Sequence, residues 1–304
     1  MSASSPARGL IALIRLPYWL MTGGLAVLTA FAILNGNFSD VQTLLGPMNV
    51  AVVALLTFFS LSFTASGGFA INDYYDRVSD AVIKPKRPIP SGALSYKQAV
   101  AISASFFALG LVMAVLINWV AFAIIALDSV LLLIYSYLIK RKSGFAANLL
   151  MGVLTGTAFI YGQATVTGTI TLVSLSLYPI AFGTIGGNVL RDIFSVEGDA
   201  KVGYPTLPQK IGNISAAKVG GVFFLLTGLL APLPALPLFP NHFSVYYLPL
   251  ILVWSVLLIY SAVRLFTSAS TVAQIRKYER IVTMSMMLLP LALIVEGIAG
   301  VLRL

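Results

Sequence analysis

The sequence predicts an all-α polytopic membrane protein, with nine transmembrane helices in a bundle around a central cavity. Three observations predict it. The chain of 304 residues is 59% hydrophobic and 10% charged, against about 25% charged in an ordinary soluble domain, and its mean hydropathy is +0.95. Apolar runs of roughly 20 residues recur from end to end, each long enough to cross a hydrocarbon core as a helix. Most charges fall between those runs. The alternating polar and apolar segments of a membrane barrel do not occur, and a lone strand in lipid would leave its backbone unpaired.

The spans are placed at 17–35, 48–71, 98–117, 119–139, 145–167, 170–190, 215–235, 244–266 and 281–301. The first follows Arg8 and Arg15 and lacks a convincing signal-cleavage site. The second ends where the acidic run from Asp73 begins. The third and fourth are divided only at 117–119, and the fifth and sixth only at 167–170. The seventh and eighth flank a Pro-rich connection that holds His242, the single histidine. Gly23-Gly24, Gly67-Gly68 and the stretch from Gly183 to Gly187 permit close helix approach, a packing role. With these nine crossings, 18 of the 19 Lys and Arg collect on one side and only Arg303 falls on the other. A wrong count would scramble that asymmetry. The positive-inside rule then puts the N-terminus in the cytoplasm and the C-terminus outside a cell membrane. The net charge of +9 therefore suits orientation and contacts with membrane lipids or phosphate, with no nucleic acid partner expected. The absence of cysteine excludes disulfides, thiolate nucleophiles and Cys-ligated metal, and one histidine makes a multi-His site untenable.

Acids show the same bias, although orientation does not require them. Asn72, Asp73, Asp76 and Asp80 close the second span within an arc of roughly 100° on a helix. Three carboxylates and an amide oxygen on one face repel one another unless a cation joins them. Oxygen-only donors suit Mg²⁺, which commonly shares its site with substrate phosphate. A solvated helix end explains one or two acids, but poorly explains such a run beside lipid. After the sixth span, Asn188 and Asp192 repeat the Asn-x-x-x-Asp spacing, also behind a Gly-Gly pair, and Asp199 returns to the Asp192 face if the helix continues past Gly198. Each cassette is followed by a basic, Pro-containing loop: Lys84-Pro85-Lys86-Arg87-Pro88 in one case, Lys201 to Lys210 in the other. The pair reads as an internal duplication whose half-sites face each other and hold a diphosphate through metal bridges and ion pairs.

Asn72-Asp73-x-x-Asp76-x-x-x-Asp80, the following Arg-Pro-Ile-Pro-Ser-Gly at 87–92, and Asp192 with Val196-Glu197-Gly198-Asp199 resemble the UbiA superfamily of intramembrane prenyltransferases. The resemblance covers nearly the whole chain, so 1–304 is expected to form a single transmembrane prenyltransferase domain, with cassette-and-loop regions at 72–97 and 188–212. Within the superfamily the wording is most similar to the archaeal branch that alkylates geranylgeranylglyceryl phosphate in ether-lipid synthesis, and chlorophyll synthases share much of it. The archaeal pattern often has a further acid near 195, where this chain has Phe194-Ser195. The resemblance implies Mg²⁺ as cofactor, a prenyl diphosphate donor and a lipophilic acceptor, with no obligatory protein partner. It implies Asn72, Asp73, Asp76, Asp80, Asp192 and Asp199 as metal ligands, with Asp76 and Asp192 central to catalysis at the cytoplasmic face. Arg77, Lys84, Lys86, Arg87 and Lys201 are then candidates to neutralise the leaving diphosphate, and Asn188 and Asn148 to line the same pocket.

Asp128 lies inside the fourth span. It is a cation stabiliser, a proton acceptor, an acceptor-binding group, or a carboxyl hydrogen-bonded between helices. Lys140, with Arg141 and Lys142, either reaches substrate phosphate or anchors the helix end. Glu296 reads as a structural polar contact. Transfer to an aromatic or chlorophyllide-type acceptor is the nearest alternative. A secondary transporter of an anionic substrate would place its binding groups near the bilayer midplane, whereas here all but Asp128 sit at helix ends.

Overall fold

The computed structural model describes residues 6–303. Among them nine helices are long and apolar enough to cross a membrane: Ala7–Leu34, Val50–Ile83, Tyr96–Ile117, Trp119–Lys142, Gly144–Thr167, Leu172–Lys201, Asn213–Ala235, Val245–Thr267 and Val272–Leu302. Large apolar side chains stand on the outside, with Leu20 73% and Val256 64% exposed, an arrangement stable only against lipid. The chain is a multi-pass membrane protein.

The number of spans agrees with the sequence pattern, while several ends do not. The second helix runs to Ile83 rather than stopping at 71, and the sixth runs to Lys201 rather than 190. Hydropathy stops where charge begins, whereas the backbone continues because each charged turn finds partners. Gly198 thus lies within a helix. The ninth span starts at Val272 rather than 281: a polar helix Val272–Ser285, opened by a Thr271/Gln274 capping box, precedes Leu288–Leu302. The first span is broken. A helix Pro6–Ile14 ends at Arg15, which adopts φ 51°, and Pro17 starts a short tight turn, Leu16–Trp19. Ser66 accepts from Trp19 Nε1 at 2.8 Å and donates to the Ile14 carbonyl at 3.0 Å, so one hydroxyl joins both sides of the break. A Cβ on Gly23 would lie 2.1 Å from the Phe58 carbonyl oxygen, so this contact between first and second spans requires glycine.

The connection after the first span departs from the all-helical expectation. Val41–Thr43 (β1) and Gly46–Met48 (β2) form a two-stranded antiparallel hairpin with Val41 opposite Met48. It lies between spans, and Leu44 N–H donates to the Ile117 carbonyl at 3.1 Å, so the penalty for unpaired strands in lipid does not arise.

Two apolar cores hold the bundle. One gathers Val53, Leu61, Ile117, Ile125 and Tyr161 from the second to fifth spans. The other gathers Val189, Leu190, Phe224, Ile251, Leu258 and Leu265 from the sixth to eighth, continued by Ile275 and Leu293 of the ninth. The first span packs on the fifth and ninth and ties the cores together. At the end remote from the cassettes, Glu296 accepts from both the backbone N–H (2.8 Å) and the hydroxyl (2.6 Å) of Ser244. That confirms a structural polar contact.

Candidate active site

Continuation of the second helix past residue 71 carries Asp73, Asp76 and Asp80 inward, leaving them 3%, 4% and 2% exposed. Burial of three carboxylates is costly unless each meets positive charge or donors. The loop after this helix folds back through turns that include Ser91 N–H to the Arg87 carbonyl, which returns Arg87 to the helix. Its Nη1 lies 2.7 Å from both Asp73 Oδ1 and Asp80 Oδ2. Arg15, turned inward by the break in the first span, places Nη2 3.0 Å from Asp73 Oδ1 and stacks over Phe69. The cation expected to join these acids is supplied in part by the chain itself.

Asp76 is held differently. Its Oδ2 accepts from Asn72 Nδ2 at 2.8 Å and from Lys140 Nζ. Its Oδ1 accepts from the Tyr204 hydroxyl at 2.6 Å. Lys140 follows a π-helical segment, Tyr135–Ile139, in the fourth span, a local underwinding that re-aims side chains at a helix end. Tyr204 stands just beyond the sixth span, where burial first, and then its hydrogen bond to Asp76, push the phenol above its ordinary range. It stays a neutral donor.

The second cassette meets the first at the same end of the bundle. Tyr204 joins them in one residue: its backbone N–H donates to the Asp199 carbonyl at 3.0 Å while its hydroxyl reaches Asp76. Asp192 accepts from Asn148 Nδ2 at 2.8 Å. Asp199 accepts from Ser195 at 2.6 Å. Beside them opens a cleft of about 740 Å³ whose walls include Ile83, Lys84, Phe194, Ser195, Asp199, Lys201 and Arg276. Desolvation of its ammonium, followed by the nearby Arg87 charge, lowers the Lys84 pKa.

The structure therefore brings Asn72, Asp73, Asp76, Asp80, Arg87 and Lys140 into one cluster, pairs Asp192 with Asn148 beside it, and sets Asp199, Lys84 and Lys201 on the cleft. It does not bring in Arg77, which donates to the Tyr74 carbonyl at 2.8 Å and stacks on the Tyr74 ring. Lys86 is exposed in its loop, and Asn188 accepts only from Arg191, at 3.3 Å. The sequence places these three in the site by proximity along the chain, and among the described residues none of them bonds to the cluster. Asp128 is buried apart from the cluster; Oδ2 accepts from Thr157 at 2.8 Å and Oδ1 has no partner among the described residues. Sequence reasoning took Arg15 only as an orientation charge and passed over Tyr204. The break at Arg15-Leu16-Pro17 was a usable signal for the first, while nothing local marks the second.

Among the described residues no three Asp, Glu or His side chains form a ready-made ion cage. The donor chemistry nevertheless fits a hard divalent ion: every group is an oxygen, and a cation already sits there, since Lys140 Nζ touches Asp76 Oδ2 and lies 3.5 Å from Asn72 Oδ1.

Fold and site together define an intramembrane helical protein with two apposed acidic helix ends threaded by basic side chains. Residues 25–289 match the UbiA prenyltransferase family, and the chain belongs to that family of enzymes. The digeranylgeranylglyceryl phosphate synthase of Natronomonas pharaonis is 36% identical over 229 residues, covering 75% of this chain and 78% of the relative. That of Methanopyrus kandleri is 38% identical over 205 residues, covering 67% and 70%. A solved digeranylgeranylglyceryl phosphate synthase superposes with a TM-score of 0.76 at 27% identity, covering 96% of this chain and 99% of that one. A UbiA homologue from Archaeoglobus fulgidus, solved with GPP and Mg²⁺, has a TM-score of 0.64 at 20% identity over 96% and 99% of the two chains, and shares the fold.

Proposed function

We infer that the chain transfers a geranylgeranyl group from its diphosphate to geranylgeranylglyceryl phosphate, an ether-forming step of archaeal lipid synthesis, and acts as one transmembrane domain. The observation that carries this reading is the meeting of two acidic helix ends, bridged by Tyr204, at one end of a lipid-facing bundle. The synthase names of archaeal relatives at 36% and 38% identity point to the acceptor.

Asn72, Asp76, Asp192 and Asp199, with Asp73 and Asp80 behind them, are the oxygens that would hold Mg²⁺. When bound there, Mg²⁺ neutralises diphosphate charge and makes the diphosphate a better leaving group. The chain's own cations do the remaining electrostatic work. Lys140, Arg87 and Arg15 are long side chains about one quarter exposed, against carboxylates almost fully enclosed. They can turn from carboxylate to diphosphate without leaving the site. As the C1–O bond breaks, its electron pair leaves with the diphosphate, and these cations stabilise the growing charge. The acceptor hydroxyl oxygen bonds to C1 and passes its proton to the departing diphosphate. Water competes for the same carbon, and burial of the carboxylate face at 2–4% exposure limits its access. Asp128, deep in the fourth span with one unpartnered oxygen, is the candidate to stabilise the allylic cation or bind the acceptor rather than the ion. The distribution of Lys and Arg supports an orientation with the N-terminus and this site on the cytoplasmic side and the C-terminus outside.

Purified protein incubated with Mg²⁺, geranylgeranyl diphosphate and geranylgeranylglyceryl phosphate should yield the doubly alkylated glycerol phosphate. Product on a hydroxybenzoate or chlorophyllide, with none on the glycerol phosphate, would reassign the acceptor.

A further inference from the structure

Cations at the cassette end fall into two groups. Arg15, Arg87 and Lys140 are committed to carboxylates at 3.0 Å or closer. Lys84, Lys201 and Arg276 line the neighbouring cleft, and among the described residues none has a carboxylate within ion-pair distance. Arg276 is the most informative of them. It projects from the polar helix Val272–Ser285, and its guanidinium lies over the Phe194 ring at 4.4 Å, a stack that holds a planar cation without neutralising it. The acid one turn along that helix, Glu279, is occupied by Arg191 at 3.9 Å and the Thr283 hydroxyl at 2.8 Å. Two carboxylates, Glu197 and Asp199, also line the cleft, and Asp199 is engaged by the Ser195 hydroxyl. Three unpaired cations against two acids leave the cleft net positive. The partly apolar wall of Val82, Ile83 and Phe194 suits a ligand with a charged head and a hydrocarbon body.

The proposed reaction brings together two anionic heads, a diphosphate and a phosphate monoester, whose charges repel at short range. Separate cationic seats solve that problem. The geometry points to the cleft as the seat of the acceptor's phosphate, held by Arg276 on its Phe194 platform together with Lys84 and Lys201. The inference rests on the reading of the function given above and adds the acceptor subsite to it. Asp76 and Lys140 stay with the donor, Asp199 stands between the two seats, and Lys84 and Lys201, expected from the sequence to neutralise the diphosphate, pass to the acceptor phosphate. The planar fork of Arg276 matches phosphate oxygens in pairs, so it sets the preference for a phosphorylated acceptor.

The test is steady-state kinetics in detergent with two acceptors, geranylgeranylglyceryl phosphate and the same glycerol ether without phosphate. In Arg276→Gln, KM for the phosphorylated acceptor should rise about tenfold or more, the loss expected for one charge-assisted contact, while KM for the donor stays put. The preference for the phosphorylated over the unphosphorylated acceptor should fall by the same factor. Arg276→Lys should recover part of it, and Phe194→Leu, which keeps the charge but removes its platform, should fall between. Equal rises in donor and acceptor KM would overturn the inference, as would an unchanged phosphate preference. Repeating the assay in neutral and anionic lipid vesicles separates the other source of a phosphate head: if Arg276→Gln alters only the dependence on anionic lipid, the cleft binds a membrane headgroup and the acceptor assignment is wrong. If the native protein alkylates neither glycerol acceptor, the reading of the reaction itself fails.

Discussion

Tyr204→Phe removes one oxygen and tests how the two cassettes are coupled. The lost hydroxyl donates to Asp76 Oδ1 at 2.6 Å and lies 3.0 Å from Ser79 Oγ, while the ring remains under Lys140 Nζ at 5.0 Å. Asp76 would keep Asn72 and Lys140, both on Oδ2, so nothing else fixes the other oxygen. A hydrogen bond to a charged group contributes about 1.5–3 kcal/mol, or roughly ten- to a hundredfold in an equilibrium constant at about 1.4 kcal/mol per decade. If that orientation prepares Asp76 for a divalent ion, Mn²⁺ affinity read by electron paramagnetic resonance should fall about tenfold or more, and thermal unfolding should show a matching loss of stability. The pH dependence has a definite sign. The phenol pKa is raised above its ordinary 10.0, so its contribution is complete below about pH 10 and fades only as pH climbs through the higher folded-state value. The stability gap between native protein and variant should therefore stay constant from about pH 6 to 9. Native Mn²⁺ affinity together with a native unfolding temperature would refute the reasoning, and Tyr204 would then be loop packing.

Three further outcomes are expected. Asp76→Asn and Asp192→Asn should each lower turnover about a hundredfold or more while the purified protein remains folded by size-exclusion chromatography, and full activity in EDTA would contradict an ion at these residues. Arg87→Gln, which takes a cation from both Asp73 and Asp80, should destabilise the fold by about 3 kcal/mol or more in thermal unfolding, whereas Lys86→Gln in the same loop should change it by less than about 0.5 kcal/mol. Glu296→Ala frees the Ser244 N–H and hydroxyl at the opposite end; unfolding should show a loss of about 1–3 kcal/mol, with turnover per folded molecule maintained.

The parts of this molecule legible in the sequence are those governed by nearest neighbours along the chain. Hydropathy marks the nine spans, and the four-residue spacing of Asn72, Asp76 and Asp80 marks a shared helix face. Helix ends are less legible, because a charged turn reads as a loop in hydropathy even when its charges are satisfied in the fold. The partners that satisfy them are illegible for the same reason. Arg15 reaches Asp73 across 58 positions, Lys140 reaches Asp76 across 64, and Tyr204 reaches it across 128. Counting acids alone leads to the conclusion that a metal must join them, whereas the folded chain already supplies three cations. That difference bears on the proposed chemistry. If a divalent ion were held at Asp76, Lys140 would compete with it for Oδ2, which already accepts from Asn72 and Lys140. The Lys140 charge would stay within the site, because its backbone is fixed at the end of the helix and only the side chain could move. Lys140 would then be the chain's own cation free to turn from the carboxylate to the diphosphate, the group that gains charge as the C1–O bond breaks.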